Sequence, residues 1–373
     1  MKMKKINICF HINNISKCGG TERVTTDIAS ALIEKYKNKY NIFVLSNYRE
    51  NEPYFKGNNK IKYISLFNNK KRLAFNYFKY VTEIKNIINK YNIDVIISVD
   101  TILSLVDIPA TIKSKCKNIS WDHFSFSYKS NSLMMKISRY FSSKKADLII
   151  TLTDDSVMKY KKFFGRCNNI MRIYNPINIK KMNHKYDPLN KTILSVGRLS
   201  YEKGFDYIIE VGRKLIQKNH DFKWVILGDG PEKDKLISDV HKYNLEKNIF
   251  FQGRTSNVGD SYKNTKFFVM PSRTEGFGIV LLEAMSYGLP VISFDCESGP
   301  AEIIRNNVNG YLVKDFNIDE MTNKIIKLLS DNDLCVKFSD NSKVDFERFD
   351  EDTIIVEWDN ALTLLLGGKN EKN

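Results

Sequence analysis

Short apolar runs alternate with amphipathic helical stretches along this chain, and no other feature constrains its fold as strongly. In the first half the runs are rich in β-branched residues, and helical segments such as 22–36 and 73–91 lie between them. Buried strands that alternate with helices form parallel sheets with helices on both faces. The strands predicted here are 6–10, 42–45, 61–64, 95–99, 148–152 and 171–174.

The alternation is interrupted once, at Asn175-Pro176, and a polar stretch follows to residue 190. Beyond it we predict strands at 192–196, 224–227, 249–252, 267–270 and 291–294, and helices at 205–218, 231–243, 278–287 and 318–330. A chain of 373 residues is also long enough for two separate cores. The predicted fold class is therefore α/β, with two doubly wound, Rossmann-like domains.

The predicted boundaries follow from this pattern. They are an N-terminal domain at 1–175, a linker at 176–190, a C-terminal domain at 191–350 and a last segment at 351–373. The helix in that last segment has the option of packing back on the first domain. Two such domains joined by one linker are expected to hold a ligand in a cleft between the carboxyl ends of their strands.

The net charge of +15 is concentrated in one half of the chain. Residues 1–190 carry a net +20, whereas residues 191–373 carry −5. Such asymmetry suggests an anionic partner for the first domain: a membrane surface, a nucleic acid or an acidic substrate. A merely solvated, lysine-rich surface is the alternative.

The six cysteines show no paired spacing, so we expect neither a disulfide framework nor a zinc site. No window of about 18 apolar residues occurs, so no segment is expected to span a bilayer. Asn7 interrupts the first apolar run, which favours a buried first strand over a signal peptide. Reduced cysteines and the lack of an export signal together favour the cytoplasm.

Gly19 and Gly20 follow the first predicted strand and precede a helix. Paired glycines let the backbone approach a phosphate, and the amides at a helix start favour anions. A tight strand-to-helix turn also needs glycine, so a purely architectural role stays open. Neither Gly-x-Gly-x-x-Gly nor the Walker pattern is present.

Two cations stand where strand 192–196 runs into the next helix. Arg198 and Lys203 lie there beside Gly197 and Gly204. The planar guanidinium and the compact ammonium suit a diphosphate. Because this is the ligand-binding edge of such a sheet, we favour a phosphate site over two merely solvated side chains.

Segment 270–285 carries the strongest signal: a strand ends, a glycine-rich turn follows and a helix begins. Glu275 precedes that helix and Glu283 lies within it. A carboxylate in an apolar run needs partners, and sugar or ribose hydroxyls are suitable ones. The amides of residues 276–278 are available to hydroxyls or phosphate oxygens. A structural ion pair of Glu283 with a lysine or arginine is the alternative.

These motifs together closely resemble the retaining glycosyltransferases of the GT-B type, often called glycosyl transferases group 1. The resemblance is strong over about residues 190–315 and looser in the first half, where 19–23 carries it. The matching residues are Gly197-Arg198, Glu202-Lys203-Gly204, Gly228-Asp229-Gly230-Pro231, the Glu-x7-Glu pair Glu275 and Glu283, Gly288-x-Pro290-Val291-Ile292 and Asn309-Gly310.

The resemblance implies a role for each matching residue. Arg198 and Lys203 would neutralise the donor diphosphate, Glu275 would hold the transferred sugar, and Glu283 would hold the ribose hydroxyls. Gly276, Phe277 and Gly278 would complete the donor site.

In the first domain, the resemblance implies that the loop with Gly19 and Gly20 approaches the β-phosphate. His123, in the sequence Ser-Trp-Asp-His-Phe, matches a family position beside the sugar and the scissile bond. The expected catalytic set is thus His123, Arg198, Lys203 and Glu275. A packed histidine without a catalytic part is the alternative for His123.

We predict no metal requirement and no cofactor. Asp-x-Asp triplets, which bind a metal in many glycosyltransferases, occur only at 331–333 and 350–352, in late polar helical regions. Preorganised cations should then stabilise the leaving diphosphate. No covalent nucleophile stands out, and the family's retaining chemistry is usually drawn as front-face attack. The donor implied is a nucleotide sugar, UDP-linked by family frequency, with GDP left open.

Two basic stretches suggest contact with anionic lipid. Lys70-Lys71-Arg72 precedes segment 73–91, and in segment 133–141 the side chains of Leu133, Ile137, Tyr140 and Phe141 share a helical face. A core-facing helix with solvated lysines explains the second stretch equally well. Members of the resembling family often act on lipid-linked saccharides in bacterial O-antigen or capsule assembly. We therefore expect a peripheral enzyme at the inner face of the cell membrane.

Three other classes of function stay open. A nucleotide-sugar epimerase or a phosphorylase-like enzyme would use the same architecture. A nucleic-acid-binding protein would explain the basic half, although no zinc finger, aromatic RNA-binding signature or basic zipper is present. A catalytically inactive sugar-nucleotide sensor would be expected to have lost some of the four charged site residues.

Overall fold

The computed structural model describes residues 5–126, 132–165, 167–177, 185–255, 257–342, 344 and 346–367. Contacts divide the chain into unit 1, Met1–Pro176 with Phe349–Asn373, and unit 2, Ile177–Arg348. Each unit contains its own parallel β-sheet.

The sheet of unit 1 has seven parallel strands in the order β3-β2-β1-β4-β5-β6-β7. The strands are β1 Ile6–Ile12, β2 Tyr40–Tyr48, β3 Lys62–Phe67, β4 Val95–Ser98, β5 Lys117–Asp122, β6 Leu148–Thr151 and β7 Ile170–Arg172. The helices between them are α1 Gly20–Lys35, α2 Tyr77–Tyr91, α3 Thr101–Thr111, α4 Leu133–Lys145 and α5 Asp154–Phe164. The strand order reverses between β1 and β4, which makes their carboxyl ends the switch point of this sheet.

The sheet of unit 2 has six parallel strands in the order β10-β9-β8-β11-β12-β13. The strands are β8 Thr192–Val196, β9 Lys223–Leu227, β10 Ile249–Gly253, β11 Phe267–Met270, β12 Val291–Phe294 and β13 Gly310–Val313. The helices are α6 Phe205–Gln217, α7 Lys233–Lys242, α8 Val258–Lys263, α9 Ile279–Ser286, α10 Pro300–Ile303, α11 Ile318–Ser330 and α12 Asn332–Ser342. Here the order reverses between β8 and β11.

The last helix, α13 (Glu351–Leu365), belongs to unit 1. The Nζ atom of Lys39, just after α1, lies 2.6 Å from Oδ1 of Asp359. On its inner face, the ring of Trp358 is fully buried and lies 4.9 Å from the ring of Trp121. The end of the chain thus completes the core of the first unit.

The segment predicted as a linker divides differently. The structure places the boundary after Pro176, and residues 178–184 of the predicted linker lie outside the described residues. Tyr186 packs on the core of unit 2, and its hydroxyl donates to the carbonyl of Lys266 at 2.7 Å. The later part of the predicted linker is therefore structurally part of unit 2.

Sequence periodicity missed strand β5, because polar side chains interrupt it. Asn118 and Ser120 are buried there. The Nδ2 atom of Asn118 donates to Asp147 at 2.8 Å, and the Ser120 hydroxyl donates to that of Ser142 at 3.0 Å. Burial of these groups is tolerated because each has a partner. The helices α3, α5, α8 and α10 and strand β13 were also not predicted.

The structure also bears on the cysteines and on membrane-spanning helices. All six cysteines are free thiols in the structure, and five of them are buried. Among the helices of the described residues, none combines the length and the apolar character that a membrane crossing requires.

Candidate functional site

The carboxyl ends of β8 and β11 lie side by side at the switch point of unit 2. These strands pair through Phe267 with Ile193 and Phe268 with Leu194, and their crossovers lead toward opposite edges of the sheet. Loops that diverge in this way open a crevice, which is where open α/β sheets bind ligands. Most of the predicted site residues lie on the segments that follow these two strands.

Lys203 and Glu275, which are 72 positions apart, are brought together there. The Nζ atom of Lys203 lies 2.6 Å from Oε1 of Glu275, and the Ser272 hydroxyl donates to the same oxygen at 2.8 Å. The side chain of Glu275 is only 8% exposed, whereas that of Lys203 is 32% exposed. A carboxylate this deeply placed needs such donors. Since an ammonium has three donors, Lys203 retains the capacity to contact an anionic ligand as well.

Two glycines let the loops of this site approach each other. Gly204 has a φ of +64°, and a Cβ atom there would lie 2.1 Å from the carbonyl oxygen of Pro271. Gly228 has a φ of +148°, and a Cβ atom there would lie 1.8 Å from the carbonyl oxygen of Gly197. Any side chain at either position would push neighbouring loops apart. These glycines are therefore required by close backbone contact.

Arg273 links the loop after β11, on which it lies, to the segment after β8. The sequence pattern did not indicate a role for this residue. Its guanidinium makes a bidentate pair with Asp206 at 2.7 and 2.5 Å and donates to the carbonyl of Tyr201 at 2.8 Å. It also lies 4.2 Å from the ring centroids of both Tyr201 and Tyr207. Burial alone would raise the pKa of Asp206, but the hydrogen bonds and charge of Arg273 outweigh it and hold that pKa below its ordinary value.

Glu283 lies on α9, and its Oε2 atom accepts from the hydroxyl of Tyr262 at 3.1 Å. Tyr262 is buried, and its ring stacks on that of Tyr287 at 5.3 Å. A buried tyrosine thus holds the carboxylate, a contact that the sequence alternative of a lysine or arginine partner did not include. The two oxygens of a carboxylate offer about four acceptor positions, and the Tyr262 hydroxyl uses one of those of Glu283.

In the glycine-rich turn before α9, the glycines offer only backbone atoms and the phenylalanine side chain packs in the protein core. Gly278 has a φ of +95° and begins the helix as its N-cap. The side chain of Phe277 is buried in the protein, so any contact that this residue makes with a ligand must come from its backbone. Gly276 separates Phe277 from Glu275 in the chain.

Arg198 stands out from the residues around it because its side chain is exposed. Its carbonyl accepts from the amide of Ser200 at 2.9 Å. Among the described residues, its guanidinium has no ion-pair partner within 4.0 Å. An exposed guanidinium on the loop after β8, in the same segment of the chain as Lys203, suits a doubly charged phosphate ligand.

In unit 1, Gly19 and Gly20 begin α1 at the end of the loop after β1. A Cβ atom on Gly19 would lie 2.3 Å from Oε2 of Glu22, so a carboxylate lies against this helix start. Burial raises the pKa of Glu22. A phosphate at this loop would therefore need Glu22 to be displaced or protonated, which the sequence did not indicate.

His123 directly follows the last residue of β5 and is buried, with 7% of its surface exposed. Its ring centroid lies 4.0 Å from that of Trp121. Burial lowers the pKa of His123 to about 3, although the charge of Asp122 acts in the opposite direction. Its Nε2 atom is buried without a hydrogen-bond partner in the described part of the chain. A neutral imidazole with an unused nitrogen is suited to a ligand hydroxyl.

A buried pair near the end of β1 was also missed. The Nδ1 atom of His11 lies 2.7 Å from Oδ1 of Asp107, and its Nε2 atom lies 2.9 Å from Oδ1 of Asn47. Burial lowers the pKa of His11, but the Asp107 charge and hydrogen bond outweigh this and raise it overall. The only signal in the sequence was a histidine inside an apolar strand.

An aspartate of each Asp-x-Asp triplet lies at the start of a helix. The Oδ1 atom of Asp331 accepts from the amide of Leu334 in the first turn of α12, and Asp350 is the N-cap residue of α13. Within the described residues no group of three or more His, Cys, Asp or Glu side chains forms a candidate metal site. Metal independence stays a prediction.

Comparison with known proteins gives the family. Residues 178–345 match the family model described as glycosyl transferases group 1, and residues 18–181 match that described as glycosyltransferase family 4. An uncharacterized glycosyltransferase of Haemophilus influenzae is 33% identical over 360 residues, which cover 96% of this chain and 100% of that relative. The lipopolysaccharide 1,6-galactosyltransferase of Escherichia coli K12 is 26% identical over 82% of this chain and 84% of its own length.

A solved structure gives the same fold. The crystal structure of HepE from Anabaena in complex with UDP-glucose matches with a TM-score of 0.79 at 19% identity and covers 96% of this chain and 100% of that chain. The predicted GT-B fold class, two Rossmann-like domains with parallel sheets, is thereby confirmed.

Proposed function

Because this chain belongs to the glycosyl transferases group 1 family, we propose that it is a retaining transferase that moves a sugar from a UDP-linked donor to a saccharide acceptor. The observation that carries the proposal is the Lys203–Glu275 pair at the switch point of unit 2, 2.6 Å apart and in the same domain as the uncommitted Arg198. Cations and a carboxylate at one sheet edge match the two halves of a nucleotide sugar, the diphosphate and the hydroxyl-rich sugar.

The reaction breaks the bond between the anomeric carbon and the donor phosphate oxygen and forms a bond to an acceptor hydroxyl. Negative charge grows on the leaving diphosphate, and in this proposal Arg198 and Lys203 stabilise it. Glu275 binds hydroxyls of the transferred sugar, and Glu283 binds those of the ribose. The proton of the acceptor hydroxyl passes to the leaving phosphate oxygen, on the same face of the sugar, so that the anomeric configuration is retained.

The choice of UDP rests on the frequency of UDP donors in the resembling family, and the UDP-glucose bound in the HepE crystal structure supports it. A thermal-shift screen of UDP, GDP and ADP tests it, because a ligand that binds only the folded state raises the melting temperature. We expect UDP to give the largest shift. A larger shift with GDP would replace the nucleotide and leave the transferase proposal standing.

Retention and metal independence are tested in one turnover experiment. The first-formed anomer of the product is assigned by its proton NMR coupling, and the rate is measured with and without EDTA. We expect the donor configuration to be preserved and the rate to be unchanged by the chelator. An inverted product or loss of activity in EDTA would overturn the respective part of the mechanism.

The proposed role of Glu283 in donor binding is tested by comparing a substitution of Glu283 with one of its hydrogen-bond partner, Tyr262. Glu283→Ala should weaken UDP-sugar binding more than tenfold, about 1.4 kcal/mol, because the ribose loses its acceptor. Tyr262→Phe is the matched control, since it removes one donor to Glu283 and keeps the carboxylate. Equal binding by wild type and Glu283→Ala would remove Glu283 from the donor site.

We further propose that the acceptor is lipid-linked, that the pathway makes a bacterial surface polysaccharide, and that the enzyme works at the cytoplasmic face of the membrane. The relative named lipopolysaccharide 1,6-galactosyltransferase supports the pathway. The α4 face supports the membrane contact, because Leu133, Ile137 and Tyr140 are 69%, 49% and 56% exposed. Lys144 and Lys145 in the last turn of the same helix add positive charge.

Sedimentation with vesicles tests the membrane contact. Wild type should bind anionic vesicles at low salt and lose binding at high salt, and Ile137→Ser should bind more weakly. Ile216→Ser, at an exposed apolar position on α6, is the matched control and should bind like wild type. No binding at low salt, or equal loss in both variants, would reject the α4 surface.

The alternatives give different products. An epimerase would convert one nucleotide sugar into another without an acceptor, whereas a transferase releases free nucleoside diphosphate in proportion to acceptor glycosylated. Oligonucleotide binding that is tighter than vesicle binding would favour the nucleic-acid role for the basic half.

A further inference from the structure

The guanidinium of Arg139 is buried in unit 1 beneath the segment that carries His123. Arg139 lies on α4 and its side chain is 4% exposed. Its Nε atom donates to Oδ2 of Asp122 at 2.8 Å, and its Nη2 atom donates to the carbonyls of Phe124 and Ser125 at 3.0 and 2.9 Å. One planar group thus holds the residues on both sides of His123.

Asp122 is fixed from a second direction as well. The hydroxyl of Tyr160 on α5 donates to its Oδ2 atom at 2.9 Å, and the amide of Phe124 donates to its Oδ1 atom at 3.1 Å. The guanidinium also lies 4.4 Å from the ring centroid of Phe126. Residues 122–126 are therefore fastened by two helices, although β5 has already ended at Asp122.

Stability alone is a poor explanation for this arrangement. Desolvation of two charges costs about as much as their attraction returns, and apolar residues of similar volume often replace a buried ion pair without loss. The guanidinium, however, also donates hydrogen bonds to backbone carbonyls of residues 124 and 125, which lie in the loop after β5 and outside the sheet. A rigid fork that binds several carbonyls fixes the direction of the loop, which a single ammonium cannot do.

We propose that Arg139 is a positioning residue that sets the orientation of His123 toward the acceptor side of the reaction. This rests on the proposed glycosyltransferase function. Arg139 is expected to act through the loop, with no contact to the substrate. The ring of His123, packed against Trp121, then keeps its unpartnered Nε2 atom at a fixed place.

The test compares two arginine-to-lysine variants of the full chain. Arg139→Lys keeps the charge and removes the fork. Arg172→Lys is the matched control, because Arg172 is another ion-paired arginine of unit 1, 27% exposed, 3.5 Å from Asp154 and 3.9 Å from the ring centroid of Tyr174. For Arg139→Lys we expect a fall of at least tenfold in kcat for transfer, with the melting-temperature shift by UDP unchanged. The control should keep its kcat.

A second measurement does not depend on activity. The imidazole proton signals of His123 are followed by NMR between pH 4 and 8 and assigned with His123→Asn. In wild type they should not titrate in this range, because burial keeps the imidazole neutral. In Arg139→Lys the loosened loop admits water, and a titration near the ordinary value of about 6.5 should appear.

The outcomes separate the two proposals. If wild type transfers no sugar, the proposed function fails, and the NMR titration still decides the positioning role. If Arg139→Lys keeps the wild-type kcat and its His123 signals do not titrate between pH 4 and 8, the positioning role is overturned. Should Arg139→Lys not fold, Asp122→Asn weakens the same contact from the carboxylate end, and an unchanged His123 signal there would equally overturn it.

Discussion

Removal of Lys203 should destabilise unit 2 and lower the rate of transfer at least tenfold, and a second substitution should separate these two effects. In Lys203→Met the Glu275 carboxylate, 8% exposed, would keep the Ser272 hydroxyl and lose its cation. Loss of one partner of a fully buried ion pair costs about 3–5 kcal/mol. Because Lys203 is about one-third exposed, solvent screens part of this, and we expect about 2 kcal/mol.

The double variant Lys203→Met/Glu275→Gln removes the stranded charge while its amide oxygen still accepts from Ser272. Most of the lost stability should return, because a neutral amide is much cheaper to bury than an unpaired carboxylate. Transfer should stay at least tenfold below wild type in both variants, a loss of at least about 1.4 kcal/mol in transition-state stabilisation. Stability and activity would thus respond differently to the same second substitution.

Amide hydrogen exchange of peptides from β11 and α9 measures unit 2 by itself, since a two-domain chain need not unfold in one step. For a unit of this size, about 2 kcal/mol corresponds to a fall of about 4–8 °C in melting temperature. The reasoning is refuted if Lys203→Met exchanges like wild type, or if the double variant exchanges as fast as the single one.

Three further predictions concern other parts of the site. Arg198→Ala should weaken UDP binding more than tenfold in a thermal-shift titration and leave the unliganded melting temperature unchanged, because the side chain is exposed; unchanged affinity would end its diphosphate role. The pKa of His123, about 3 when folded, lies below the unfolded value of about 6.5, so the unfolded state binds the extra proton and stability falls as pH drops below 6.5, by up to about 1.4 kcal/mol per pH unit. Urea unfolding at pH 7 and pH 5.5 should therefore give a smaller difference for His123→Asn than for wild type, and equal differences would contradict the neutral imidazole. Gly204→Ala should lower both stability and donor affinity, since its Cβ atom would overlap the Pro271 carbonyl in a left-handed conformation, and a fully active, equally stable variant would show that the loops are free to separate.

Much of the fold was predictable because its signal is local. The runs at 192–196, 267–270 and 291–294 appear in the structure with the predicted bounds, since a fully buried parallel strand is a continuous apolar run. Strand β5 was not predictable in this way. Its buried Asn118 and Ser120 are stabilised by Asp147 and Ser142, far along the chain, and no local pattern announces those partners.

In the candidate site, too, some residues could be predicted from local sequence and others could not. Spacing and residue type singled out Lys203, Glu275 and Glu283, because glycine-rich turns at strand ends are visible in the sequence. The partners Ser272 and Tyr262 were not singled out, since a hydroxyl beside a carboxylate has no sequence signature. Arg273 lay within the strongest motif and still received no role, because its pairing with Asp206 depends on how two loops pack.

The sequence by itself determined the α/β class, the two parallel sheets and the positions where glycines and charges follow a strand, because periodicity and turn chemistry act over a few residues. Tertiary structure alone decided which charges meet. It joined Lys203 to Glu275 and set Arg139 beside Asp122, below the His123 loop. Such contacts join residues remote in the chain, and their energies depend on burial and distance, which no local pattern contains.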